Sequence, residues 1–256
     1  MNDFPTLPDD IAVLLVDFDE TLTKNHTGGA LQFRRSAPFA LVNESNESDD
    51  NGDANRDAEP RRWKRVDLHR NITNNGDQSL VQNAASNDIA WSFRLLQDVV
   101  LRQRRCLAIV TMADNAHGVT RAAQTQLDPA LYETLAGESL VRRWLLCAAL
   151  VACNNDYECA RRQLLELEQS KRFTVVAMAH PCSKAQHVRV ACQRFFDNKT
   201  LDATRLQARH MLYLDNTACL LAATAASYPG MRTIHTPRGV DRAVWRHVCA
   251  TSQFIL

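Results

Sequence analysis

The chain has no excess of either charge: Lys and Arg total 30 against 29 for Asp and Glu, leaving a formal net charge of +1 over 256 residues. No global field therefore favours nucleic acid or an anionic membrane, and any electrostatic recognition has to be local. No apolar run is long enough to span a bilayer, and the opening MNDFPTLPDD, acidic and proline-containing, lacks the character of a secretory signal. No CxxC pair occurs, although there are eight cysteines: Cys106, Cys147, Cys153, Cys159, Cys182, Cys192, Cys219 and Cys249. Most lie in apolar helical or strand patterns, so we read them as buried thiols in a reducing compartment rather than a disulfide scaffold. Cys153, Cys159, Cys182 and His187 have no recognised zinc spacing. No internal repeat is found. These absences lead us to expect a soluble intracellular protein, cytoplasmic or nuclear, with no use for the glycosylation-like triplets at Asn43, Asn46, Asn71 and Asn198.

What is present is patterned. From Ile11 to Thr23, IAVLLVDFDETLT, six apolar residues deliver Asp17 and Asp19 to one point. A continuous apolar run closed by polar residues fits a strand buried on both faces of a parallel sheet, and ligands in such sheets bind at the strands' carboxyl ends. If the extended geometry persists past Val16, Asp17 and Asp19 point one way and Phe18 the other. Two neighbouring carboxylates repel, and a bound cation is one resolution.

Ile89, Phe93, Leu96, Val99 and Val100 recur at helical spacing and predict a crossover helix over 88–104, feeding a strand that ends at Thr111. Helices are predicted over 115–126, 138–152 and 156–170, the last opened by Asn155 with Glu158 three residues on. A strand from Phe173 to Ala179 follows. Ser183 with Gln186 then predicts a capped helix through Phe196. Strands Met211 to Asp215 and Met231 to His235 alternate with helices from Thr217 and from Asp241. This order demands an α/β fold with a mostly parallel sheet covered by helices on both faces. Residues 24–87 form a polar insertion after the first strand. Asn43 to Glu59 has almost no apolar content and is predicted disordered, while Leu31, Phe33, Phe39, Leu41 and Val42 on one flank and Trp63, Val66 and Leu68 on the other suit a hairpin or flap.

The stretch Asp17-Phe18-Asp19-Glu20-Thr21 matches the DxDxT signature of the haloacid dehalogenase-like superfamily, most of whose members are magnesium-dependent phosphatases. Three companions follow in that family's order: Cys106 to Val110 closing on Thr111; Lys184 within PCSKAQHV; and Met211 to Leu214 ending in Asp215-Asn216. The four span residues 11–216. The resemblance implies a Rossmann-like catalytic core of residues 1–23 and 88–256, with 24–87 as a flap or degenerate cap. It further implies hydrolysis of a phosphate monoester through an aspartyl-phosphate on Asp17, Asp19 as general acid and base, and Thr111 and Lys184 on the phosphate oxygens. Mg2+ would be held by Asp17, the Asp19 carbonyl, Asp215 and Asn216. Asn216 departs from the second acid of many relatives; the Asp-Asn pair also resembles the carboxy-terminal-domain phosphatase branch, and with no compact cap legible it favours an open site for a bulky phosphorylated substrate. A protein or nucleic-acid substrate stays open, though net charge does not indicate one.

Each residue also has a plainer reading: Asp215 as a cap or turn former, Asp19 as a turn cap, Thr111 as a strand terminus, Lys184 as a solvated first-turn residue. His180, His187, His210, His235 and His247 read as structural or surface residues, Arg61 to Arg65 as a solvated loop, and Trp144, Leu145 and Ala148 as core. Two alternatives accompany the hydrolase: a catalytically weak relative kept for binding, and a phosphotransferase using the same aspartate.

Overall fold

In the computed structural model of the chain, residues 4–24, 27, 30–34, 85–86, 88–113, 132–179 and 182–251 are described. Their strands are β1 (Val13–Asp17), β2 (Ala30–Arg34), β3 (Cys106–Thr111), β4 (Tyr132–Ala136), β5 (Phe173–Ala177), β6 (Met211–Asp215) and β7 (Arg232–His235). Their helices are α1 (Ile89–Gln97), α2 (Gly137–Ala152), α3 (Tyr157–Gln169), α4 (Lys184–Asp197), α5 (Ala218–Ser227) and α6 (Arg242–Thr251). Five strands form one parallel sheet in the order β5-β3-β1-β6-β7. The result is a Rossmann-like α/β fold.

Every residue of β1 is buried, and the two-residue period of a strand divides them between two cores. Leu14 and Val16 join Phe93 of α1, Trp144 of α2, Leu167 of α3 and Trp245 of α6. Val13 and Leu15 join Val188 and Phe195 of α4 and Leu221 of α5. Helices thus cover both faces, and each such aliphatic side chain stabilises the fold by about 2 kcal/mol before entropic costs. Val13 stands opposite Cys106 on one side and Met211 on the other, so β1 is the sheet's centre. From β1 the chain winds outward through β3 to β5, then returns by α4 to β6 on β1's other side. The winding reverses between β1 and β6, and crevices at that reversal, beyond the strands' carboxyl ends, are where open α/β sheets bind ligands.

Local rules account for several helix starts. Asp88 caps α1 by accepting the Trp91 N–H at 3.0 Å, and Ser183 and Gln186 form the expected reciprocal box at the start of α4. The helix over 88–104 differs in detail, since α1 passes into a π turn at Asp98–Arg102. A larger correction concerns α3. Its cap is Asp156, which accepts the Cys159 N–H at 3.0 Å, because Asn155 sits at φ 65 in the turn leaving α2 and cannot take the extended cap conformation. Phe18 does turn away from the strand end, packing edge-on against Trp144 with centroids 5.9 Å apart. Trp144, Leu145 and Ala148 are buried in the core.

Within the insertion, β2 takes a partner from outside it: Ala30–Arg34 pairs antiparallel with Tyr132–Ala136 in a separate two-stranded ribbon. The other flank residues Phe39, Leu41, Val42, Trp63, Val66 and Leu68, the 43–59 stretch, the basic cluster, His180 and the 115–126 helix lie outside the described residues. Among the described residues no helix is long and apolar enough to cross a membrane. None of the eight cysteines is in a disulfide; Cys219 is exposed rather than buried, and Cys159 and Cys182 are half-buried.

Gly239 secures the loop after Asp19 from behind. It adopts φ +77, and a Cβ there would lie 2.4 Å from the Ala85 Cβ and 2.9 Å from the Thr21 carbonyl oxygen, while the next amide, Val240 N–H, donates to that same oxygen at 2.8 Å. Gly239→Ala is expected to destabilise the protein by about 2–4 kcal/mol, from backbone strain plus overpacking. Denaturant unfolding checks this; a loss below about 0.5 kcal/mol, typical of neutral surface positions, would show that the loop yields freely.

Candidate functional site

Asp17 is the last residue of β1 and is buried. The sheet pairing runs one residue further, Phe18 N–H donating to the Val110 carbonyl at 3.0 Å, and then breaks into a turn. Leu22 and Thr23 amides both bond the Phe18 carbonyl, the Glu20 amide bonds the Thr23 hydroxyl, and Glu20 takes φ 59. The extended geometry therefore stops short of Asp19. Asp19 is half-buried and accepts the Thr27 N–H at 2.9 Å.

Two remote residues, Lys184 and Asp215, converge on Asp17. Lys184 opens α4, and its ammonium donates to Asp17 Oδ1 across 167 residues of sequence. The same Nζ lies 3.5 Å from Asp215 Oδ2 at the end of β6. The Lys184 side chain is only 3% exposed, so it is not the solvated first-turn lysine of the plainer reading. Asp215 is fully buried: its Oδ2 also accepts the Tyr213 hydroxyl at 2.9 Å, and its Oδ1 accepts the Thr217 N–H at 2.8 Å. The turn-former reading and the cluster reading of Asp215 hold together, while α5 itself, capped at Thr217, has no side-chain cap bond. Burial first, then the negative charges of Asp215 and Asp17, push the Tyr213 hydroxyl well above its ordinary pKa, so it remains a donor.

Thr111 ends β3 beside this cluster, one residue beyond the partner of Asp17. Its hydroxyl accepts the Ala113 N–H at 3.4 Å. Asn216 is committed elsewhere than to Lys184. Its amide donates to Glu20 Oε2 at 2.8 Å, its Oδ1 accepts the Thr217 hydroxyl at 3.2 Å, and its carbonyl is 2.8 Å from His235 Nε2. Asp17, Lys184 and Asp215 are thus in direct contact, whereas Thr111, Asp19 and Asn216 flank them.

Glu20 and Tyr213 went unrecognised in the sequence. Tyr213 carried a signal, since two residues before Asp215 on a strand puts the phenol on the carboxylate's face. Glu20 carried none, because its partner Asn216 is 196 residues away.

The oxygen donors suit a hard cation, which takes carboxylates, amide oxygens and water. Among the described residues no three His, Cys, Asp or Glu side chains are grouped to hold a metal, so an ion here would rest on few protein ligands. Without a cation, burial pushes the Asp17 carboxyl up to about 7 from 3.8, against the pull of Lys184 and with the repulsion of Asp215 and Asp19. A folded pKa above the unfolded one means stability is fully present below pH 3.8 and is lost as pH rises toward about 7. In chelator-treated protein, wild type should lose stability relative to Asp17→Asn across that window. Parallel melting curves for the two would refute the shift.

The chain matches no family model, and no curated protein matches it.

Proposed function

We propose that the protein is a phosphate monoester hydrolase acting through Asp17 with magnesium, as the haloacid dehalogenase-like phosphatases it resembles do. The observation that carries this reading is the convergence of Asp17, Lys184 and Asp215 at the switch point of the sheet, beside Thr111. A phosphate ester repels a nucleophile by its own charge, so a catalyst must neutralise that charge, align the attack and protonate the leaving oxygen. Lys184, at the positive end of α4, supplies the charge. The Thr111 hydroxyl donates to a phosphate oxygen. Asp17, held by Lys184 in one orientation, attacks phosphorus and carries the aspartyl-phosphate. Asp19, half-buried in the turn beyond β1, protonates the leaving alcohol and then takes a proton from the water that attacks phosphorus and releases the Asp17 carboxylate and phosphate. Asp17, Asp215, the Asp19 carbonyl and Asn216 would hold magnesium, which when bound neutralises phosphate charge.

A second reading, a binding protein without turnover, draws on two contacts: the Lys184 ammonium already lies against both buried carboxylates, and Asn216 is engaged with Glu20 and Thr217. A panel of phosphate monoesters, including a generic aryl phosphate, assayed with and without magnesium separates the two. Magnesium-dependent phosphate release supports the hydrolase; no release from any ester supports the binding protein. Added acceptor alcohols, followed by product analysis, detect transfer to an acceptor in place of water.

A further inference from the structure

His187 belongs to none of the roles above, yet it is wholly buried and sits one helical turn from Lys184 on α4. Its ring spans two elements. Nδ1 lies 2.9 Å from the Ser183 carbonyl oxygen within α4's first turn, and Nε2 lies 2.9 Å from the carbonyl oxygen of Thr111 at the end of β3. Both partners can only accept. Burial, opposed by these two carbonyls and by the Met178 backbone and aided by the Lys184 charge, holds the ring's pKa below its ordinary value. A neutral imidazole has one N–H, so only one of the two contacts is a hydrogen bond at neutral pH.

The Ser183 contact joins residues that the helix already fixes, since the Ser183 carbonyl accepts the amides of Gln186 and His187. The Thr111 contact joins a strand end to a helix start, and these two termini carry the groups expected to hold phosphate. We propose that His187 is a positioning residue: its Nε2–H donates to the Thr111 carbonyl and fixes the spacing between the Thr111 hydroxyl and the Lys184 ammonium beside Asp17. What that spacing serves rests on the hydrolase reading; the bond itself does not.

Two measurements test it. In uniformly 15N-labelled wild type, long-range nitrogen–proton correlation spectra report the tautomer of each histidine, with His187 assigned by its absence in His187→Gln. The Nε2–H tautomer is expected, and the Nδ1–H tautomer overturns the proposal whatever the activity. The second measurement compares His187→Gln, whose amide can donate near the Nε2 position, with His187→Leu, which cannot donate. The Leu variant's kcat on an aryl phosphate should fall about 10- to 100-fold, the scale of a small misplacement. Its KM should change by less than about threefold, because Coulomb attraction for the phosphate varies slowly with distance. His187→Gln should recover most of the kcat. Wild-type kcat in the Leu variant, or equal losses in both variants, overturns the proposal. If the Leu variant fails to fold, the tautomer and the Gln variant still decide. A wild type without turnover sinks the hydrolase reading and leaves the tautomer to decide this one.

Discussion

Replacing Asp17 by Asn should lower turnover of an aryl phosphate by about 10^4-fold or more, the scale seen when a covalent nucleophile is removed from a site whose binding groups remain. The fold should survive, because Asn keeps the volume and an amide oxygen that can still accept from Lys184 at the end of β1. The variant therefore separates chemistry from structure. Its circular dichroism and melting curve should resemble the wild type's, apart from the pH window in which Asp17 titrates. Turnover within tenfold of wild type would remove Asp17 from the covalent role, and with it the reading of the whole cluster.

The second large effect is expected at Lys184. Lys184→Met keeps much of the volume but leaves Asp17 and Asp215 buried against each other without their ammonium. Breaking a buried ion pair from one side costs about 3–5 kcal/mol, because the remaining charge is stranded in a poor solvent. The loss should be larger at pH 8 than at pH 5, since Asp17 can escape it by taking a proton. Adding Asp17→Asn should restore part of the stability, a coupling that a double-mutant cycle measures directly. Activity should also fall about 10^2- to 10^3-fold, as when one donor to a developing anion is removed. A Lys184→Met protein as stable as wild type, with the cycle showing no coupling, would mean that the contact with Asp17 does not govern the charge of the cluster.

What could be read from the sequence followed from locality. β1 was legible because the six apolar residues from Ile11 to Val16 form one uninterrupted run, and the cap at Ser183 because a cap and its partner lie three residues apart. The cap of α3 was misread by one residue: Asn155 and Asp156 are both good capping side chains, and the left-handed φ that disqualifies Asn155 is set by how α2 ends. The β2–β4 ribbon was illegible for a different reason. Tyr132–Ala136, YETLA, has no strong strand pattern, and its partner is about a hundred residues earlier in the chain. Of the candidate site, Asp17 and Thr111 were legible as strand ends. The burial of Lys184 was not, since a first-turn lysine is usually solvated and its carboxylate partners come from two other strands. Glu20 on Asn216 and His187 on Thr111 are likewise contacts between distant segments, with no local sequence pattern to announce them.

The central place of β1 has a kinetic consequence. Both of its ladders, to β3 and to β6, are closed by long stretches of chain, so the two strands that present Asp17 and Asp215 can meet only after large loops have been drawn together. Folding dominated by such non-local pairing is slow, because loop closure has to come before the contacts that offset it. Closure entropy nevertheless grows only with the logarithm of loop length, about 0.6 kcal/mol per doubling. Lengthening the connection between β1 and β3 therefore costs the core little in closure entropy alone, provided that β2, Thr27 and Ala85 keep their contacts with β4, Asp19 and the Gly239 loop.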